Sequence, residues 1–180
     1  MSTSRILDLS QVHRLRERNF NQLRIDIPLP NHLESHALLT GEYKPGSVTG
    51  TVFQKGRIGD LVGTGWATIK AISTRFVEVL QAGSLSGWTT IPVDIVGSDL
   101  ERQLFVLVVT GKCGPLTYRG EFNQERYLDP LATGWDGSDL FMPENFSGVL
   151  VTGDAAAYIR KARLRTLELV PDPLKPLRAD

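Results

Sequence analysis

Phe76, Val79 and Leu80 stand at the i, i+3, i+4 spacing of one buried helix face. Gly83 follows where a left-handed residue would end that helix. Trp88 to Ile95 and Leu104 to Thr110 read as strands, separated by the turn signal Gly97-Ser98-Asp99. A connection that short makes the pair antiparallel. Further on, Phe146 to Val151 reads as a strand, Asp154 to Ala162 as a second helix and Thr166 to Val170 as a last strand.

The flanking segments carry weaker patterns. Ile6 to Leu9 alternates like a short strand, and Ser10 is placed to cap a helix over Gln11 to Arg18 with Val12 and Leu15 on one face. Leu23, Ile25 and Ile27 alternate and end at Pro28 and Pro30, which is the pattern of a strand. Asn31 to Ser47 reads as loop, Val48 to Phe53 as a short strand, and Gly111 to Asn145 shows little periodicity. After Pro171, prolines at 173 and 176 give residues 172–180 the look of a flexible tail. The sum is an α+β domain over residues 1–171, mainly antiparallel sheet with two main helices.

One sentence of this pattern occurs twice, 79 positions apart. Ser73 leads through Phe76, Leu85, Trp88 and Ile91 to Pro92; Thr152 leads through Ala155, Leu164, Leu167 and Val170 to Pro171. Each copy opens on a hydroxyl residue suited to a helix cap and closes on proline. Related halves around 59–95 and 138–171 follow, through duplication or through shared packing constraints on one supersecondary unit.

Composition adds limits. Lysine plus arginine equals aspartate plus glutamate at 20 each, so the formal charge is zero and a dedicated nucleic-acid binder is not expected. The charge is unevenly spread: Glu121, Glu125, Asp129, Asp136, Asp139 and Glu144 face the lone Arg126, while Arg14, Arg16 and Arg18 and then Arg160, Lys161, Arg163 and Arg165 compensate at the flanks. The acidic stretch reads as a solvated loop surface or as a patch that docks a basic partner. A single cysteine permits no internal disulfide, and no apolar run reaches membrane-span length, so a cytoplasmic protein without membrane partners is expected.

Candidate chemistry is sparse. His32, Glu34 and His36 would share a face on an extended strand and form the start of a metal site for a small hydrolase, although the surrounding prolines favour a plain loop. Gly63-Thr64-Gly65 lacks the lysine and hydroxyl of a phosphate loop, and its glycines suit close packing against Trp66. Cys113 beside Lys112 has no visible base. Asp136-Gly137-Ser138-Asp139 begins like a cation loop but lacks the later ligands, so an Asx-type turn accounts for it. No cofactor and no catalytic set is implied.

The block Trp135-Asp136-Gly137-Ser138-Asp139-Leu140-Phe141, the strand Val149 to Thr152 and the helix running to Leu164 resemble bacterial immunity-type proteins of polymorphic toxin systems. Gly59-Asp60, Gly65-Trp66, the Phe76 to Leu80 helix and Gly87-Trp88 extend the likeness over Gly59 to Pro171. Within that group the chain resembles the myxobacterial double-CXXCG proteins and the uncharacterised immunity domains near them, yet it has only Cys113-Gly114 and none of the paired cysteines, so the broader immunity-like group is the better description. The resemblance implies stoichiometric binding and neutralisation of a cognate toxin, not catalysis. Trp135, Asp136, Asp139 and Glu144 are then the expected partner-binding residues, against the alternative that Trp135 and Phe141 plug the core.

Overall fold

Ser73 and Thr152 do cap helices. Ser73 Oγ accepts from the Phe76 N–H (3.2 Å) at the start of α2 (Thr74–Ala82), and Thr152 Oγ1 accepts from the Ala155 N–H (3.5 Å) at the start of α3 (Gly153–Lys161). Such caps stabilise a helix by about 1 kcal/mol. The computed structural model describes residues 6–18, 22–97, 102–119, 125–128 and 134–176. Among these it shows a third helix, α1 (His32–Thr40), where the sequence reads as loop. Asn31 caps it through the Glu34 N–H (2.9 Å), and Gly41 ends it at φ 76°. The pattern hides α1 because Leu33 is exposed while the polar Ser35 is buried beside Leu38 and Leu39, so tertiary packing rather than a clean apolar stripe forms it. Gly83 is not the left-handed residue: its φ is −79°, and Ser84 takes the left-handed turn at φ 49°. The glycine serves packing instead, since a Cβ there would stand 2.5 Å from the Tyr158 ring.

The first half closes into a six-stranded barrel. Its strands are β2 (Arg24–Asp26), β3 (Val48–Gln54), β4 (Leu61–Thr64), β5 (Lys70–Ser73), β6 (Trp88–Val96) and β7 (Leu104–Val109), in the order β2-β3-β6-β7-β5-β4. β6 and β7 pair antiparallel as expected, but β2 with β4 and β3 with β6 are parallel, so the sheet is not purely antiparallel. Ile25, Val62, Ala71, Val93, Leu104 and Val106 belong to the apolar cluster of this half. Of the turn signal, Ser98 and Asp99 lie outside the described residues.

The helix expected over Gln11 to Arg18 is a strand, β1 (His13–Glu17), preceded by a 3-10 turn at Leu9–Gln11 in place of the expected Ile6 to Leu9 strand. Pairing decides it: β1 lies between β12 (Leu150–Val151) and β13 (Leu167–Pro171), burying His13 and Leu15. The Phe146 to Val151 strand is thus only two residues long. Short strands also cross the aperiodic middle: β8 (Lys112–Cys113), β9 (Thr117–Arg119), β10 (Glu125–Leu128) and β11 (Leu140–Pro143). They form a five-stranded sheet, β13-β1-β12-β11-β8, and a three-stranded one, β14-β10-β9, where β14 is Lys175–Pro176. Residues 172–176 are therefore packed rather than a free tail, with Asp172 and Leu174 buried; 177–180 lie outside the described residues.

These two small sheets retrace the barrel. At the 79-residue offset β4 matches β11, β5 matches β12, α2 matches α3 and β6 matches β13. β7 pairs with β5 and β6 as β1 pairs with β12 and β13, with Leu107 opposite Thr90 and Leu15 opposite Leu169. Thr51 pairs in parallel with Val96, and Tyr127 in parallel with Lys175. The second barrel is the same circuit with two interruptions, between β8 and β9 and between β13 and β14. β7, which follows the first unit in sequence, completes the barrel, and β1, from the start of the chain, pairs in the same way with β12 and β13.

Between them lies a shared apolar cluster built from matched pairs: Leu61 and Leu140, Ile72 and Val151, Leu80 and Ile159, Leu107 and Leu15. Burying each side chain contributes about 1.5–3 kcal/mol. Where the first barrel packs Val93 and Val106, the second places Asp172 and Arg14. Asp172 bridges Arg14 (3.3 Å) and Arg126 (2.8 Å), an ion triad in place of a valine pair. Among the described residues no helix is long and apolar enough to cross a membrane.

Candidate functional site

The loops that follow α2 and α3 share one backbone course. Ser84 and Arg163 are both at φ 49°, and Gly87 and Thr166 are left-handed at 84° and 65°. Gly87 O accepts from the Thr110 N–H and Thr166 O from the Arg18 N–H, each at 2.9 Å. Buried carboxylates secure both loops. Asp139 Oδ2 accepts from the Ser86 N–H (3.0 Å) and hydroxyl (2.9 Å); Asp60 accepts from the Arg165 N–H (2.6 Å) and the Ser73 hydroxyl (2.8 Å).

On this common backbone the second loop builds a trough. Arg18, Arg57, Arg160, Arg163 and Arg165 ring a cleft of about 940 Å³. Ile58, Ile159, Leu164, Leu167 and Leu169 supply apolar lining, and Glu168 is the one carboxylate among the described lining residues. A neighbouring cleft of about 570 Å³ shares Ile58 and Arg165 and adds Arg75 and Arg102. Arg160 Nη2 donates to Leu169 O (3.2 Å), and Arg75 reaches both Asp60 (3.5 Å) and Ala162 O (2.8 Å). Among the described residues no carboxylate lies within ion-pair distance of Arg18, Arg57, Arg163 or Arg165.

The other half shows what the backbone alone requires. Opposite Arg18, Arg160, Arg163 and Arg165 stand Thr110, Gln81, Ser84 and Ser86, and Asp136 stands opposite Arg57. The supporting residues are kept: Asp60 and Asp139, Ser73 and Thr152, Leu85 and Leu164. Trp88, whose indole N–H folds back onto Leu85 O (2.7 Å), is matched by the smaller Leu167 in the trough. The fold thus tolerates neutral residues at four of the five arginine positions. Crowding cations into one concavity raises a positive potential that an anionic partner relieves.

The residues named from sequence lie elsewhere. Trp135 is half-buried against the second-barrel cluster, edge-on to Phe141 (6.3 Å), with its indole N–H on Ser138 O (3.1 Å). Asp136 accepts from the Lys112 and Ser138 N–H groups (3.0 and 3.1 Å), the Asx-type turn expected of that block. Asp139 is buried on Ser86. Glu144 is exposed beyond β11. The structure brings the first three into one turn, while the charges of Asp136 and Glu144 both act on Cys113. Of the acidic stretch, Glu121 and Asp129 lie outside the described residues.

His32, Glu34 and His36 sit on α1, not on a strand. A helix separates residues two apart by about 200°, so Glu34 turns away from the face shared by the histidines. His32 instead meets Trp66 edge-on at 5.3 Å. Among the described residues no three His, Cys, Asp or Glu side chains gather as a metal site. Cys113 is buried, and desolvation, then the charges of Asp136 and Glu144, push its pKa up to about 12, which keeps the thiol protonated. Gly63 and Gly65 make room for the carboxylates of Glu17 and Asp26, not for Trp66. The sequence signal for the trough was the pair of basic flanks, which β1 and the α3–β13 loop bring together.

No family model matches this chain, and no curated protein matches it.

Proposed function

We propose that this protein is a stoichiometric binder of the immunity type, which neutralises a cognate protein toxin by docking on it and occluding its working surface. One observation carries the reading: the trough concentrates arginines at positions where the matching half does without them. Arginine is enriched at protein interfaces, and its planar fork holds carboxylates with two parallel hydrogen bonds. A one-sided basic field on a chain of zero formal charge also steers encounter with an acidic surface and speeds association. The docking face therefore shifts from the Trp135 turn, where Asp136 and Asp139 are engaged by backbone donors, to the trough.

Titration of the toxin's activity with purified protein tests the reading. An end point at one molar equivalent is expected, with a complex of matching composition on size-exclusion chromatography. Loss of activity at substoichiometric protein would mean catalysis, and no loss at excess would remove toxin neutralisation.

A further inference from the structure

Resting on the reading of the protein as a stoichiometric binder, we infer that the trough takes an extended, carboxylate-bearing segment of its protein partner, acidic side chains on the arginines and aliphatic ones on the apolar lining. Among the described residues the cations around the main cleft are all guanidinium groups; Lys161, next to Arg160 in sequence, lines a different hollow between α2 and α3. Guanidinium forks match planar carboxylates bidentately, whereas an ammonium acts as a point charge. Phosphate is the rival anion, and the aliphatic character of the described lining favours the carboxylate. Proteins that hold single-stranded nucleic acid pair a basic groove with aromatic platforms for the bases. The described lining here is aliphatic, with no aromatic ring among it.

The neighbouring strand favours an extended occupant. β13 ends its sheet, pairing with β1 on one side only among the described residues, and Leu167, Glu168 and Leu169 line the trough. Because Leu15 N–H bonds Val149 O on the β12 side, its partner Leu169 turns its own backbone polar groups outward, and Arg160 already takes the Leu169 carbonyl. A chain laid along β13 would place alternate side chains toward the arginines and the apolar lining.

Fluorescence anisotropy on the whole protein tests this with two labelled probes: a short peptide alternating glutamate with valine, and oligothymidylate of equal charge. The substitutions Arg163→Ser and Arg165→Ser install the residues of the matching loop, Ser84 and Ser86, and should leave the fold intact; Arg18→Thr is the independent second variant. Tighter binding of the peptide than of the oligothymidylate is expected, weakened about 30-fold by the paired serine substitutions, as for interface arginines elsewhere. Equal or tighter binding of oligothymidylate, absence of peptide binding, or peptide binding unchanged in both variants would each overturn the inference. Toxin capture insensitive to these substitutions would sink the inference alone. Arginine-dependent peptide binding by a protein that neutralises no toxin would sink only the immunity reading.

Discussion

Asp60 and Asp139 stand 79 residues apart and perform one task reciprocally: each carboxylate holds the loop that follows the helix of the other half. Asp60 accepts from the Arg165 N–H after α3, and Asp139 from the Ser86 N–H after α2. Both are nearly buried, at 4% and 6% exposure. Each also receives the backbone of its own half's cap residue, with Ser73 N–H on Asp60 O (3.0 Å) and Thr152 N–H on Asp139 O (2.9 Å). The two aspartates therefore tie helix entry in one half to loop exit in the other.

Replacing either carboxylate leaves buried donors unpaired. Asp139→Ala and Asp60→Ala should each lower stability by about 2–3 kcal/mol, read by urea unfolding. A loss below about 0.5 kcal/mol at both sites would contradict the reciprocal clamp.

The same crossing is solved twice with opposite distributions of bulk. Gly59 leaves room for the Thr166 side chain; at the matching crossing Gly87, the counterpart of Thr166, leaves room for Leu140 O and for Ser138, the counterpart of Gly59. Gly59→Ser alone should cost about 3 kcal/mol through overpacking. Adding Thr166→Gly removes the clash but also the Thr166 hydroxyl, which accepts from the Leu61 N–H (3.2 Å) and donates to Leu61 O (2.6 Å), so it should recover only part of that loss, a non-additivity measurable in a double-mutant cycle. Additive losses would mean that the two crossings are not equivalent.

Asp172 sits between two guanidinium groups where the first barrel has a valine. Asp172→Asn leaves Arg14 and Arg126 facing each other without an anion and should destabilise by about 3 kcal/mol in thermal or urea unfolding.

Cys113 gives a pH signature. Its pKa rises from 9.0 unfolded to about 12 folded, so between those values the native state holds a proton that the unfolded chain has lost. Its contribution is complete below pH 9 and is lost as pH rises toward 12. Cys113→Ala should flatten the alkaline fall in stability relative to wild type. Thiol reagents at pH 8 should label native protein far more slowly than unfolded protein.

The repeated helix-to-strand unit was legible because caps, apolar spacing and proline all recur in register, and the β6–β7 pair because two β-prone runs flank one short turn signal. β1 and α1 were not legible. Five residues with three charges, His13 to Glu17, become a strand only because strands more than 130 residues away accept them. α1 is set by a cap and two buried leucines against an exposed third. The partner-binding residues chosen from sequence are conspicuous because they are polar residues around a tryptophan, but Asp136 and Asp139 turn out to satisfy backbone donors. The arginines of the trough come from separate segments, and only the fold makes them neighbours.

The most direct test of the proposed function is calorimetric titration of the proposed toxin partner with wild-type protein and with the Arg163→Ser, Arg165→Ser variant, alongside thermal unfolding of both. One-to-one binding, weakened about 30-fold in the variant while its melting temperature stays within about 2 °C of wild type, is the expected result. Unchanged affinity in a folded variant would contradict docking through the trough, and a ratio far from one would contradict stoichiometric occlusion.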